Sequence, residues 1–133
     1  VVAISVEMPL GVDVEYLPRR CNFAALARRY FSAEEQLALF ALPEESHRAA
    51  FFRCWTRKEA MLKATGTGLT FPLDKFVVSL AAADPPRVVS IEGCADRGRE
   101  WWLASFTPHA DYEVALALQG GDARVICSMW SER

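Results

Sequence analysis

The chain has 133 residues, of which 52% are apolar and 24% charged, and its formal net charge is −2. This length fits one domain with a single core, and the composition is ordinary for a globular protein. The small net charge gives no indication of nucleic-acid binding, and the chain has no signal peptide, lipidation motif or apolar run long enough for a membrane helix. We therefore expect a single cytoplasmic domain, residues 1–133, that contacts neither nucleic acid nor membrane.

The first 15 residues predict two short strands, Val1–Val6 and Val12–Glu15, which are separated by a turn around Pro9. The first strand would begin at residue 1 with no polar residues before it. Chain termini are usually exposed and loosely held, so this pattern leads us to expect a missing segment upstream.

Three helices are predicted next. Apolar residues follow helical spacing from Asn22 onward, and Ser32 with Glu35 forms a capping box at the start of a second helix. The third and longest helix is predicted over Glu44–Ala64, with Gly66 as its left-handed C-terminal stop.

The rest of the chain predicts five strands separated by turn residues rich in Gly, Pro and Asp. The complete order is β-β-α-α-α-β-β-β-β-β, which predicts an α+β fold with three helices packed on a mostly antiparallel sheet. The five predicted strands are Lys75–Leu80, Arg87–Ile91, Trp101–Phe106, Tyr112–Leu118 and Arg124–Met129.

Asp13 and Glu15 are the first candidate site residues. Alternate side chains of a strand point the same way, so these two carboxylates share one face. Two carboxylates at this spacing can converge on one hard cation, which prefers oxygen ligands. Taken alone, the pattern is more typical of an amphipathic strand with a solvated acidic face than of a metal site.

Glu59 and Lys63 are the second pair of candidates. They are four residues apart on the long predicted helix and so lie on the same face, one turn apart. Glu preceding Lys by four positions is the favoured arrangement of an ordinary surface ion pair. Two features weaken the surface-pair interpretation without replacing it: the helix is rich in large apolar residues, and it ends at a Gly-Thr-Gly loop.

The two pairs together match one chemistry. Asp13, Glu15 and Glu59 could hold Mg²⁺, the metal could neutralise a pyrophosphate, and Lys63 could offset charge on a transferring phosphoryl group. In order, spacing and residue type the chain closely resembles the Sfp-type 4′-phosphopantetheinyl transferases, over about two-thirds of its length. The motifs that carry this resemblance are Gly11–Glu15, Phe31–Glu35 and Phe52–Leu69.

The resemblance implies a function and a role for each motif residue. Enzymes of this family transfer the phosphopantetheine arm of coenzyme A to a serine of an acyl or peptidyl carrier protein, and release 3′,5′-ADP. By position, Asp13, Glu15 and Glu59 resemble the magnesium-binding acids, and Glu59 also resembles the group that helps to deprotonate the serine. Lys63 resembles the lysine that contacts the coenzyme A phosphates. Lys58 is expected to support coenzyme A binding nearby, and Trp55 to have a packing role.

The chain departs from the Sfp type in its length. Sfp-type enzymes consist of two similar halves related by a pseudo-twofold axis, and only the C-terminal half is recognisable here. We therefore expect that the N-terminal half, or a second protomer, completes the coenzyme A cleft. Two alternatives stay open: a catalytically idle homologue that binds coenzyme A or a carrier protein, and a structural domain whose charges have no catalytic role.

Overall fold

The computed structural model describes residues 1–131, apart from the side chain of Leu69. Within this part of the chain, four α-helices and five strands alternate with short turns and two 3-10 helices. The elements in chain order are β1 (Leu10–Tyr16), α1 (Phe23–Tyr30), α2 (Ala33–Ala41), α3 (Glu44–Thr65), β2 (Phe76–Val78), β3 (Val88–Ile91), α4 (Ala95–Gly98), β4 (Trp101–Phe106) and β5 (Tyr112–Gln119).

Two antiparallel sheets organise the strands. The larger sheet has the order β1-β5-β4, and β2 and β3 pair separately. In the larger sheet Asp13 of β1 lies opposite Ala115 of β5, and Glu15 lies opposite Glu113. The α+β class and the antiparallel pairing predicted from the sequence are confirmed.

The long helix α3 packs across β1 and β5 and supplies much of the core, including the fully buried Phe51 and Phe52. Its approach to β1 requires a glycine, because a β-carbon on Gly11 would lie 1.8 Å from the carbonyl oxygen of Ala60. Since side chains alternate along a strand, the face of β1 that carries Gly11 also carries Asp13 and Glu15. Both acids are thereby directed toward α3.

The helix ends follow local chemistry. The side chain of Asn22 accepts a hydrogen bond from the Ala25 backbone at the start of α1. Ser32 and Glu35 form the predicted capping box, each accepting from the other's backbone N–H. Gly66 ends α3 with φ +68°, the left-handed conformation that glycine adopts without a steric penalty.

The strands predicted for Val1–Val6 and Arg124–Met129 are wrong, since both segments are irregular in the structure. Their apolar side chains resemble those of a strand, and Val6 and Met129 are 96% and 98% exposed. A strand is stable only when a neighbour accepts and donates its backbone hydrogen bonds, and neither segment is paired within residues 1–131. The other five predicted strands, including Val12–Glu15, correspond to β1, β2, β3, β4 and β5. The short helix α4 was not predicted.

Candidate active site

The candidate site lies between the acidic face of β1 and the facing side of α3. Asp13 is buried, and its Oδ1 accepts a hydrogen bond from Lys63 Nζ at 2.7 Å. This ion pair joins the strand to the helix, while the Lys63 side chain remains 50% exposed. The structure thus brings Asp13, from the first candidate pair, into contact with Lys63, from the second.

The Asp13 carboxyl is only partly satisfied by this contact. Its second oxygen, Oδ2, is buried and has no hydrogen-bond partner among the described residues. Burial raises the pKa of Asp13, whereas the hydrogen bond and the positive charge of Lys63 act in the opposite direction. A buried carboxylate oxygen without a partner is costly, and it is a natural ligand for a hard cation.

Glu15 lies two residues further along the same face of β1. Burial raises its pKa, and the negative charges of Asp13 and Glu59 add to the effect. Arg19 opposes it through an ion pair of 3.1 Å with the Glu15 carboxylate, and a hydrogen bond from Trp55 acts in the same sense as Arg19. Trp55 packs against the core, as expected from the sequence.

Glu59 approaches the two strand acids from α3. Burial raises its pKa, the charge of Asp13 raises it further, and the charge of Lys63 lowers it. Because Asp13, Glu15 and Glu59 influence one another electrostatically, the three carboxylates share one charged neighbourhood. Three acids lying far apart would have supported the structural-domain alternative, and this support is absent.

A magnesium ion would need several oxygen ligands around one point. Across residues 1–131, no three His, Cys, Asp or Glu side chains are close enough to hold a metal ion as they stand. Lys63 and Arg19 engage oxygens of Asp13 and Glu15 instead. The residue types fit nevertheless, because three carboxylates lie within electrostatic range of one another and the buried Asp13 Oδ2 lacks a partner in this part of the chain.

Lys58 occupies a position that the sequence interpretation did not foresee. Its side chain is 0% exposed, and its Nζ forms an ion pair with Glu35 at 2.9 Å. The same Nζ donates hydrogen bonds to the carbonyl oxygens of Leu73 and Phe76, so its three N–H donors are occupied inside the protein. The assignment of Lys58 to coenzyme A binding is not retained, because no surface of this side chain is available to a ligand.

Arg48 and Arg19 were not singled out in the sequence. Arg48 of α3 donates from Nε to the carbonyl oxygen of Leu17 at 2.8 Å and also contacts the carbonyl oxygen of Arg19. It therefore anchors the segment after β1 on which Arg19 lies. Nine of the 15 Lys and Arg residues lie between Arg19 and Lys63 in the sequence, but this concentration does not distinguish Arg19 and Arg48 from the others.

Glu113 is a further acidic residue that sequence patterns did not reveal. It lies on β5 opposite Glu15 and is 7% exposed. Burial raises its pKa, and the positive charges of Arg53 and Arg57 oppose the increase. Glu113 lies beside the site because β5 pairs with β1 in this register. The residues next to Glu113 in the sequence do not reveal that pairing.

Comparison with known proteins identifies the class to which this fold and site belong. The family model of the 4′-phosphopantetheinyl transferase superfamily matches residues 9–117, which include β1, α3 and all the candidate site residues. The chain belongs to this superfamily, and the resemblance inferred from its motifs is confirmed.

The curated relatives include 4′-phosphopantetheinyl transferases of Nostoc and Bacillus. The chain is 32% identical over 118 residues to the 4′-phosphopantetheinyl transferase HetI of Nostoc sp. (strain PCC 7120 / SAG 25.82 / UTEX 2576), covering 89% of this chain and 46% of that protein. It is 35% identical over 72 residues to the 4′-phosphopantetheinyl transferase Sfp of Bacillus subtilis (strain 168), covering 54% of this chain and 31% of that protein. The chain thus spans less than half the length of these relatives.

Solved structures share the fold at low sequence identity. The holo-[acyl-carrier-protein] synthase of Thermotoga maritima superposes with a TM-score of 0.65 at 20% identity, covering 86% of this chain and 65% of that one. A holo-(acyl-carrier-protein) synthase of Bacillus anthracis, in complex with CoA (3′,5′-ADP), gives a TM-score of 0.62 at 19% identity, covering 86% and 99%. Separately, none of the helices among the described residues is long and apolar enough to cross a membrane.

Proposed function

We propose that the protein containing this chain transfers the 4′-phosphopantetheine group of coenzyme A to a serine of an acyl or peptidyl carrier protein. The chain would supply the wall of the active site that holds Mg²⁺ and the pyrophosphate. The observation that carries this proposal is the approach of Lys63 to Asp13 across β1 and α3, next to Glu59 and beside an unpartnered carboxylate oxygen. Membership of the superfamily supports it.

Asp13, Glu15 and Glu59 are the residues that would hold Mg²⁺. Bound there, Mg²⁺ would neutralise negative charge on the pyrophosphate of coenzyme A. In this proposal Lys63 contacts a phosphate oxygen, for which its half-exposed side chain has the necessary freedom. Both roles concern charge, and electrostatic stabilisation is, with positioning of the reactants, what a protein contributes to phosphoryl transfer.

Glu59 is the proposed general base. Burial and the nearby Asp13 raise its pKa, which makes it a better proton acceptor than an exposed glutamate at neutral pH. It would take the proton of the carrier serine, directly or through a water. The serine oxygen then bonds to the phosphorus of the phosphopantetheine arm, and the phosphorus–oxygen bond to 3′,5′-ADP breaks.

We propose that an additional half, or a second protomer, completes the cleft. The face of the larger sheet turned away from α3 carries apolar side chains that remain substantially exposed, with Val14 at 41%, Tyr16 at 44% and Tyr112 at 40%. Exposed apolar patches of this kind are typical of interaction surfaces. Sedimentation of the isolated chain tests this point, and a well-behaved monomer at high concentration would argue against it.

The transferase proposal is tested with the complete gene product, coenzyme A, Mg²⁺ and several apo carrier proteins. Mass spectrometry should show the addition of one phosphopantetheine, with 3′,5′-ADP in equal amount, and chelation of the metal should abolish both. Calorimetry measures coenzyme A binding separately from transfer, and so distinguishes an active enzyme from the catalytically idle homologue. Binding of coenzyme A without transfer to any carrier would support an idle homologue and contradict the proposal.

A further inference from the structure

Lys63 has two competing roles in the site. In the structure its Nζ donates to Asp13 Oδ1, whereas the proposed function requires the same ammonium to contact a phosphate. Asp13 is mostly buried, with its side chain 10% exposed, and the Lys63 side chain is 50% exposed. The lysine can therefore leave the carboxylate for solvent or a ligand, but the carboxylate cannot follow it.

We infer that Lys63 is an internal counter-ion that occupies Asp13 when no divalent cation is bound and is released when one binds. This inference rests on the proposed function, since it concerns the residues assigned there to the metal. Its physical basis is the local charge. Three carboxylates of the site repel one another, and the ammonium of Lys63 offsets part of that repulsion through Asp13.

A divalent cation bound at Asp13 would supply the positive charge that Lys63 provides in this ion pair. Two positive charges bound to one small carboxylate repel each other, so the cation and the ammonium compete for Asp13. The second oxygen of this carboxylate, Asp13 Oδ2, has no hydrogen-bond partner within residues 1–131, so a cation could bind it without displacing an existing hydrogen bond. Lys63 would then be free to contact a phosphate group.

The competition couples two binding events. Metal binding breaks the ion pair, so an anionic ligand that uses Lys63 no longer has to break it. By thermodynamic linkage, an anion that withdraws Lys63 from Asp13 increases the affinity for the metal by the same factor. The chain would thereby favour the state in which metal and phosphate are bound together over either state with only one of them.

The test measures Mn²⁺ binding to the complete gene product by electron paramagnetic resonance, with no nucleotide present and at mildly alkaline pH. Lys63→Met should bind Mn²⁺ about three- to tenfold more tightly than wild type, since the competing charge is gone. Lys75→Met is the matched control because Lys75 is exposed on the 3-10 helix Leu73–Lys75 and makes no ion pair among the described residues. It should leave the affinity within about twofold of wild type.

Two further variants assign the effect to the ion pair. Lys63→Arg keeps a cation at this position and should retain the wild-type affinity. In an Asp13→Asn background Mn²⁺ binding should weaken, and the gain from Lys63→Met should disappear because the contested carboxylate is absent. Thermal unfolding of each variant confirms that it is folded before affinities are compared.

The possible results separate this inference from the proposed function. Equal or weaker Mn²⁺ binding by Lys63→Met, with binding still dependent on Asp13, overturns the counter-ion role and leaves the metal site intact. No Mn²⁺ binding by wild type or Lys63→Met overturns both. Tighter binding by Lys63→Met in a protein without transferase activity supports the counter-ion role and contradicts the proposed function alone.

Discussion

Gly11 and Ala60 are in direct backbone contact, and no other residue fits at position 11 while α3 keeps its place on β1. A β-carbon there would lie 1.8 Å from the Ala60 carbonyl oxygen and 2.5 Å from the Ala64 amide nitrogen. Both neighbours are backbone atoms of a helix and cannot rotate away. This contact sets the distance between β1 and α3, and therefore between Asp13 and Lys63.

Gly11→Ala is expected to destabilise the protein by about 1–3 kcal/mol, since inserting a methyl group here forces the helix off the strand. It should also weaken metal binding, because Asp13 moves relative to Glu59. Chemical denaturation measures the free energy of unfolding, and Mn²⁺ titration measures the effect on the site.

Gly121→Ala provides the matched control for this glycine. A β-carbon at Gly121 meets nothing within 4 Å, and its backbone does not require a positive φ. The change should alter the free energy of unfolding by less than about 0.5 kcal/mol. Equal effects at positions 11 and 121 would mean that close packing of α3 on β1 is not what Gly11 provides.

Local chemistry made much of the fold predictable. The caps at Ser32 and Gly66 depend on residues within one turn of the helix end, and both appear in the structure as the sequence indicates. The alternation of Asp13 and Glu15 on one strand face also follows from backbone geometry. Where a feature depends on near neighbours in the chain, composition and spacing were sufficient.

The pairing of charges was much less predictable. Spacing on the helix favoured a Glu59–Lys63 pair, but Lys63 binds Asp13, which is fifty positions away in the chain. Such a choice of partner depends on tertiary packing. The burial of Lys58 was partly predictable. Helical spacing puts Lys58 on the same side of α3 as the apolar Phe51 and Leu62, which are both buried.

The buried Lys58–Glu35 pair is expected to be structural. Glu35 also accepts hydrogen bonds from the backbone of Ser32 and Val78, so the pair joins α2, α3 and β2. Lys58→Met leaves Glu35 buried without its cation, which should cost about 3–5 kcal/mol of the free energy of unfolding. Urea denaturation of the variant measures this loss.

A double variant and an exposed pair serve as controls. Lys58→Met combined with Glu35→Leu removes both charges, and its loss should be smaller than the sum of the two single losses. Arg99→Met breaks the exposed pair with Asp96 and should cost less than about 1 kcal/mol. Strictly additive losses at Lys58 and Glu35 would show that the two side chains do not act as a pair.

Glu113 predicts a specific pH dependence. Burial raises its pKa above the ordinary 4.5, so the folded protein binds this proton more tightly than the unfolded chain. The free energy of unfolding contributed by Glu113 is then highest in acid and falls as the pH rises through the folded pKa. Glu113→Gln removes this dependence.

The measurement compares Glu113→Gln with wild type by denaturation at about pH 4 and about pH 8. The stability of the variant relative to wild type should be greater at the higher pH. The other acids with raised pKa values are present in both proteins, so their contributions cancel. A stability difference that does not change with pH, or that changes in the opposite direction, would contradict the burial effect on Glu113.

The catalytic role proposed for this chain is tested by the rate of phosphopantetheine transfer in two glutamine variants of α3, made in the complete gene product. Glu59→Gln removes the proposed base and metal ligand, and it should slow transfer to an apo carrier protein by at least about 100-fold. Glu45→Gln makes the same chemical change at an exposed residue in the first turn of the same helix, and its rate should stay within about twofold of wild type. Equal rates for the two variants would contradict the claim that this chain carries the catalytic wall.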